Sequence, residues 1–149
     1  MREVELNTRP SASGKEWAHG NVLGNEPALV TVIEDEAIIL VGYQMLFESW
    51  GYAVIAAGSA DEALEMLRCS GRAPDIIIAD YRLKDGQTGV GAIRSIQGEF
   101  GDDIPGILVT GDTGAERLRE AAASGLPILH KPVNGGQLRD LLVRCLDAV

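Results

Sequence analysis

The chain has 149 residues, 46% of them hydrophobic and 23% charged, enough for one domain with a real core and too few for two. Its net charge of −9 argues against non-specific nucleic-acid binding, where basic patches supply most of the affinity. No apolar run approaches the ~20 residues a membrane-spanning helix needs, and the start lacks the apolar core of a signal peptide, so a cytoplasmic protein is expected.

Met1 to Glu26 mixes charges with Gly, Ser, Asn and Pro and keeps no period. It reads as a flexible extension or linker, 1–26, with Trp17 and Val22-Leu23 as its sizeable apolar spots. A single domain, 27–149, follows. Ala28 to Ile33 is the first predicted strand, apolar except for Thr31, and it ends on Glu34-Asp35-Glu36. Ala37 to Trp50 is a strongly apolar helix stopped by Gly51, in which Tyr43, Met45, Phe47 and Trp50 read as packing residues. Ala53 to Ala57 is the second strand. Ser59 then opens a helix, with Glu62 completing a capping box and Gly71 after its end.

Asp75 to Ala79 is the third strand. Ile76, Ile77 and Ile78 run together without alternation, the pattern of a strand buried on both faces. It stops on a carboxylate, Asp80, and leads into a loop closed by Asp85-Gly86, where Asp85 reads as a turn residue. A helix is predicted from Gly89 to Phe100 and a fourth strand from Ile107 to Thr110. Thr113 with Glu116 repeats the capping-box spacing before a helix that stops at Gly125. Pro127 to His130 is a short fifth strand. After Asn134, a last helix places Leu138, Leu141, Leu142, Cys145, Leu146 and Val149 on one face. Cys69 and Cys145 lack metal-site spacing and read as buried or partly buried free thiols. Glu36 reads as a first-turn helix charge, and His19 and His130 as structural.

Five strands alternating with five helices predict a doubly wound α/β domain with a parallel sheet and right-handed crossovers. In the flavodoxin-like (βα)5 strand order 2-1-3-4-5, strands 1 and 3 are neighbours, and ligands bind at the carboxyl ends of the strands. Those ends carry Glu34 and Asp35, Asp80, Thr110 and Lys131. Three carboxylates in one crevice repel one another unless a cation sits among them. A hard divalent ion such as Mg²⁺ suits such an oxygen set. The Thr110 hydroxyl and the Lys131 ammonium then suit phosphoryl oxygens, and phosphoryl transfer needs little beyond positioning and charge neutralisation.

The set Glu34-Asp35, Asp80, Thr110 and Lys131-Pro132, each at its own strand end, resembles the signature of response-regulator receiver domains from about Pro27 to Val149. Asp80-Tyr-Arg-Leu, Thr110-Gly-Asp-Thr and Leu129-His-Lys-Pro-Val further resemble receivers of hybrid sensor histidine kinases. The resemblance implies that Asp80 accepts a phosphoryl group from a kinase phosphohistidine, as a signalling domain rather than an enzyme. It implies Mg²⁺, with Mn²⁺ as a substitute, held by Glu34, Asp35, Asp80 and the backbone carbonyl of Arg82, with Thr110 and Lys131 on the acyl phosphate. The implied partners are a sensor histidine kinase or phosphotransfer protein and a downstream protein; nucleic acid and membrane are not expected, and the last helices are the natural homodimer surface.

The sequence departs from that family's pattern in places. Leu83-Lys84 replaces the usual Met-Pro, the loop to Gly89 is slightly longer, and Ile128 stands where a switch aromatic is usual. Arg82 and Asp112 resemble positions that tune phosphoryl lifetime, and a contact between them is a further expectation. Two other classes stand beside this one. A haloacid-dehalogenase-type phosphatase also uses Asp, Thr and Lys, but it needs Asp-x-Asp after its first strand, where Glu34-Asp35-Glu36 occurs. A receiver-like binding module without phosphorylation would be favoured by loss of the acids or the Lys, and all are present.

Overall fold

The computed structural model describes residues 22–23, 26–111 and 114–147. Five parallel strands form the central sheet: β1 (Leu29–Ile33), β2 (Ala53–Ala57), β3 (Ile76–Asp80), β4 (Gly106–Thr110) and β5 (Ile128–His130). Their spatial order is 2-1-3-4-5, as expected. A two-residue antiparallel pair, Val22–Leu23 with Glu26–Pro27, precedes the sheet. All of it but Pro27 falls within the segment read as a linker; Trp17, His19, Thr113, Asp112 and Val149 lie outside the described residues.

The helices are α1 (Ala37–Ser49), α2 (Ala60–Ser70), α3 (Gly89–Phe100), α4 (Ala115–Ala123) and α5 (Gly135–Asp147). Residues i and i+2 of a strand share a face, and the two cores divide accordingly. Ile77 and Ala79 pack with Leu67, Ile93, Ile96 and Ala121 on one side. Ile76 and Ile78 pack with Phe47, Leu138 and Leu142 on the other. Burial on both faces explains why Ile76 to Ile78 do not alternate with polar residues. Each such side chain contributes about 1.5–3 kcal/mol.

Local signals set the ends of the elements. Ser59 accepts from the Glu62 amide while Glu62 Oε1 accepts from the Gly58 amide, a capping box shifted by one residue. Gly71 ends α2 at φ 69°. Asn134 Oδ1 accepts from the Gln137 amide at the start of α5. Several expectations shift. Glu36 is the residue before α1, not in its first turn. The N-cap of α4 is Gly114, which has no side chain to cap with. Cys69 is exposed and only Cys145 is partly buried.

Helix α1 departs most from its reading. Phe47 is buried, and Tyr43 and Trp50 pack beside it. Ile38, Val41 and Met45, however, are exposed at 88%, 54% and 66%. They recur at helical spacing on the outer face, so Met45 is not a core residue. This strongly apolar helix meets the sheet with one face only.

Candidate functional site

Strand pairing brings the acids together. Ile33 of β1 pairs with Ala79 of β3, so the residues that follow, Glu34 and Asp80, leave adjacent strands at the same level. Oxygen atoms of Glu34, Asp35 and Asp80 all lie within 4.8 Å of one another. Thr110 ends β4 and pairs with His130 of β5, which sets the following Lys131 opposite Asp80. Lys131 Nζ stands 3.2 Å from Asp80 Oδ1 and 3.8 Å from Glu34 Oε1. Above them opens a cleft of ≈ 220 Å³ lined by Asp80, Arg82, Thr110, Gly111 and Lys131. The Lys131-Pro132 peptide bond is cis.

Burial makes this crevice electrostatically tense. Glu34 is 1% exposed and Asp80 9%. Desolvation raises the Glu34 pKa above its ordinary value; the Glu36 amide and Lys131 pull it back, and Asp80 pushes it further up. Asp80 is raised mainly by desolvation as well, with Asp35 adding to it and Lys131 opposing. Glu34 Oε2 accepts from the Glu36 amide at 3.1 Å, whereas its buried Oε1 has no hydrogen-bond partner among the described residues. An oxygen in that position, beside two more carboxylates, fits a hard divalent cation. Tyr43 on α1 feels the same acids: burial first, then Glu34 and Asp80, push its pKa to about 12.

The loop after Asp80 is closed tightly. The Tyr81 amide donates to Val109 O and the Gly89 amide donates to Tyr81 O, both at 2.8 Å. The Leu83 amide donates to Gln87 O, and the Gln87 amide to Lys84 O. Asp85 at φ 60° and Gly86 at φ 74° are the two central residues, the positive-φ pair of a type I′ turn. Arg82 faces Thr88 across this hairpin, but the bonds that close it come from Tyr81, Leu83, Gln87 and Gly89. Asp85 sits at the tip, apart from the three clustered acids.

Sequence reading named Glu34, Asp35, Asp80, Arg82, Thr110 and Lys131, and all six meet at this sheet edge. The Arg82–Asp112 contact falls outside the described residues. Two participants were missed. Tyr43 was read as packing alone, and nothing in its spacing marks it as a neighbour of the acids. Tyr81, 5% exposed, donates its hydroxyl to Glu120 Oε1 of α4 at 2.8 Å; the partners are 39 residues apart in sequence.

Comparison with known proteins gives the family and the fold. The family described as "Response regulator receiver domain" matches residues 30–143. The transcriptional regulatory protein ZraR of Escherichia coli O157:H7 is 29% identical over 118 residues, which is 78% of this chain and 26% of that protein. The chain thus spans about a quarter of the length of that relative. A response regulator receiver protein from Sinorhizobium medicae is 29% identical with a TM-score of 0.69, covering 81% of this chain and 95% of the other. A receiver domain protein from Clostridium thermocellum superposes with a TM-score of 0.70 at 25% identity, over the same shares of 81% and 95%.

Proposed function

This chain belongs to the response regulator receiver family, and from that premise we propose that Asp80 is the residue that accepts the phosphoryl group. The observation that carries this reading is the pairing of Asp80 with Lys131, 3.2 Å apart at the floor of an open cleft. A carboxylate oxygen of Asp80 attacks the phosphorus of a phosphohistidine. The P–N bond breaks, the imidazole nitrogen keeps the electron pair, and an acyl phosphate forms. Lys131 offsets the added negative charge and the Thr110 hydroxyl donates to a phosphoryl oxygen. Glu34, Asp35, Asp80 and the Arg82 carbonyl would hold Mg²⁺, or Mn²⁺ in its place. When bound, the cation supplies neutralisation that lets an anionic group approach three acids.

The domain's chemistry is then its own phosphorylation and dephosphorylation. A sensor histidine kinase or phosphotransfer protein is the donor, and a downstream protein, or a further part of a longer regulator, reads the result. Intact mass after incubation with acetyl phosphate and Mg²⁺ tests the reading. One phosphoryl group is expected on the wild type and none on Asp80→Asn. An adduct that persists in Asp80→Asn would move the acceptor elsewhere. Turnover of unrelated phosphate esters without an adduct would favour a phosphatase.

A further inference from the structure

Helix α4 is the element least anchored by packing. It has nine residues, buries only Ala121, half-buries Leu118, and starts at Gly114 without a side-chain cap. Among its polar ties to the rest of the fold are two to named partners. Arg94 Nη2 of α3 donates to the carbonyl of Ser124 at its C-terminal end, at 2.8 Å. Tyr81 donates to Glu120 at 2.8 Å one turn earlier. These ties are unlike in what they connect. Arg94 joins two surface helices, whereas Tyr81 is the residue after Asp80 and its backbone is clamped between Val109 and Gly89. At the other end of α4, residues 111–114 alone separate the helix from Thr110.

The residue after Asp80 is thus tied to the helix that follows Thr110 in the chain. We propose that the Tyr81–Glu120 hydrogen bond is a latch that keeps α4, and with it the Thr110-Gly111 segment, in the unphosphorylated arrangement. This rests on the phosphoacceptor reading above. An acyl phosphate on Asp80 draws the Thr110 hydroxyl towards it, and the segment can follow only as far as α4 yields. A bond present in one arrangement and strained in the other biases the equilibrium between them, and the bias is reciprocal. Tyr81 is a positioning residue here, since its side chain acts through α4.

The test compares wild type, Tyr81→Phe, Glu120→Ala, the double variant, and Glu116→Ala as a control on the same helix. Tyr81→Phe keeps the buried ring, and Glu120 and Glu116 are exposed, so all should fold. Two quantities are read: amide hydrogen exchange over 115–123 without ligand, and affinity for beryllofluoride with Mg²⁺. Both latch variants should exchange faster across α4 and bind beryllofluoride roughly five-fold more tightly, the size of a typical net hydrogen-bond contribution. The double variant should add nothing further, because one bond is removed in each case. Glu116→Ala should match wild type. Latch variants with wild-type exchange and affinity, additive effects, or weaker binding would each overturn the latch alone. Wild type that takes up no beryllofluoride would overturn the phosphoacceptor reading, and the latch with it.

Discussion

The ammonium of Lys131 is 3.2 Å from the Asp80 carboxylate, and the same cation lies 3.8 Å from Glu34. One partly exposed lysine therefore serves two buried acids whose pKa values are both raised. That shared dependence makes the site sensitive to small changes in charge.

Replacing Lys131 with Met keeps much of the stem and removes the charge. Phosphorylation by acetyl phosphate should slow by at least about ten-fold, the size of a lost charge-stabilising contact. Time-resolved intact mass would show it. A rate equal to wild type would remove Lys131 from the chemistry.

Asp80→Asn should raise the melting temperature at pH 7.5 without divalent cation. The sign follows from the raised folded pKa of Asp80. In the window between its unfolded and folded values, the folded state binds more protons, so stability falls as pH rises through that window. Above it the cost is complete, and removing the charge relieves it, by roughly 3 °C for each kcal/mol in a domain of this size. The gain over wild type should shrink as pH drops through the window, and Mg²⁺ should stabilise wild type more than the variant. Thermal melts across pH would check both.

Gly89→Ala should destabilise by about 1–3 kcal/mol through overpacking. A methyl there would meet the Asp80 carbonyl and would lie 2.9 Å from Leu108 Cδ2. Gly42→Ala, in α1 with nothing within 4 Å of the added carbon, should stabilise by about 0.5–1 kcal/mol. Urea denaturation of the two variants should give opposite signs.

Thr31→Val should raise the urea midpoint, with a gain of about 1 kcal/mol. The Thr31 hydroxyl is fully buried in β1 and has no hydrogen-bond partner among the described residues. Valine has nearly the same shape and leaves no buried polar group to satisfy. A lower midpoint would show that the hydroxyl is bonded in solution.

The fold was legible because its signals were local. The run Ile76 to Ile78 identifies a central strand, Ser59 and Gly71 bracket a helix, and a polar residue ends each of the strands that form the site. Once parallel order is assumed, those ends must share an edge, and Glu34, Asp80, Thr110 and Lys131 follow. What escaped reading depends on rotation and distance. In α1 only Gln44, Glu48 and Ser49 are polar, too few to mark which face meets the sheet, so Met45 was assigned inward. The register of α2 turns Cys69 outward. Tyr81 and Glu120 meet across 39 residues of sequence, and no short-range pattern encodes that.

The uncovered stripe of Ile38, Val41 and Met45 bears on how the protein behaves in solution. At neutral pH a net charge of −9 keeps copies apart by mutual repulsion. Near the isoelectric point of about 4.6 that repulsion vanishes while the apolar stripe stays, and such patches favour association. Turbidity should rise as pH approaches that value and clear when acid or base restores net charge. The colloidal limit thus lies on the acid side of the domain's range.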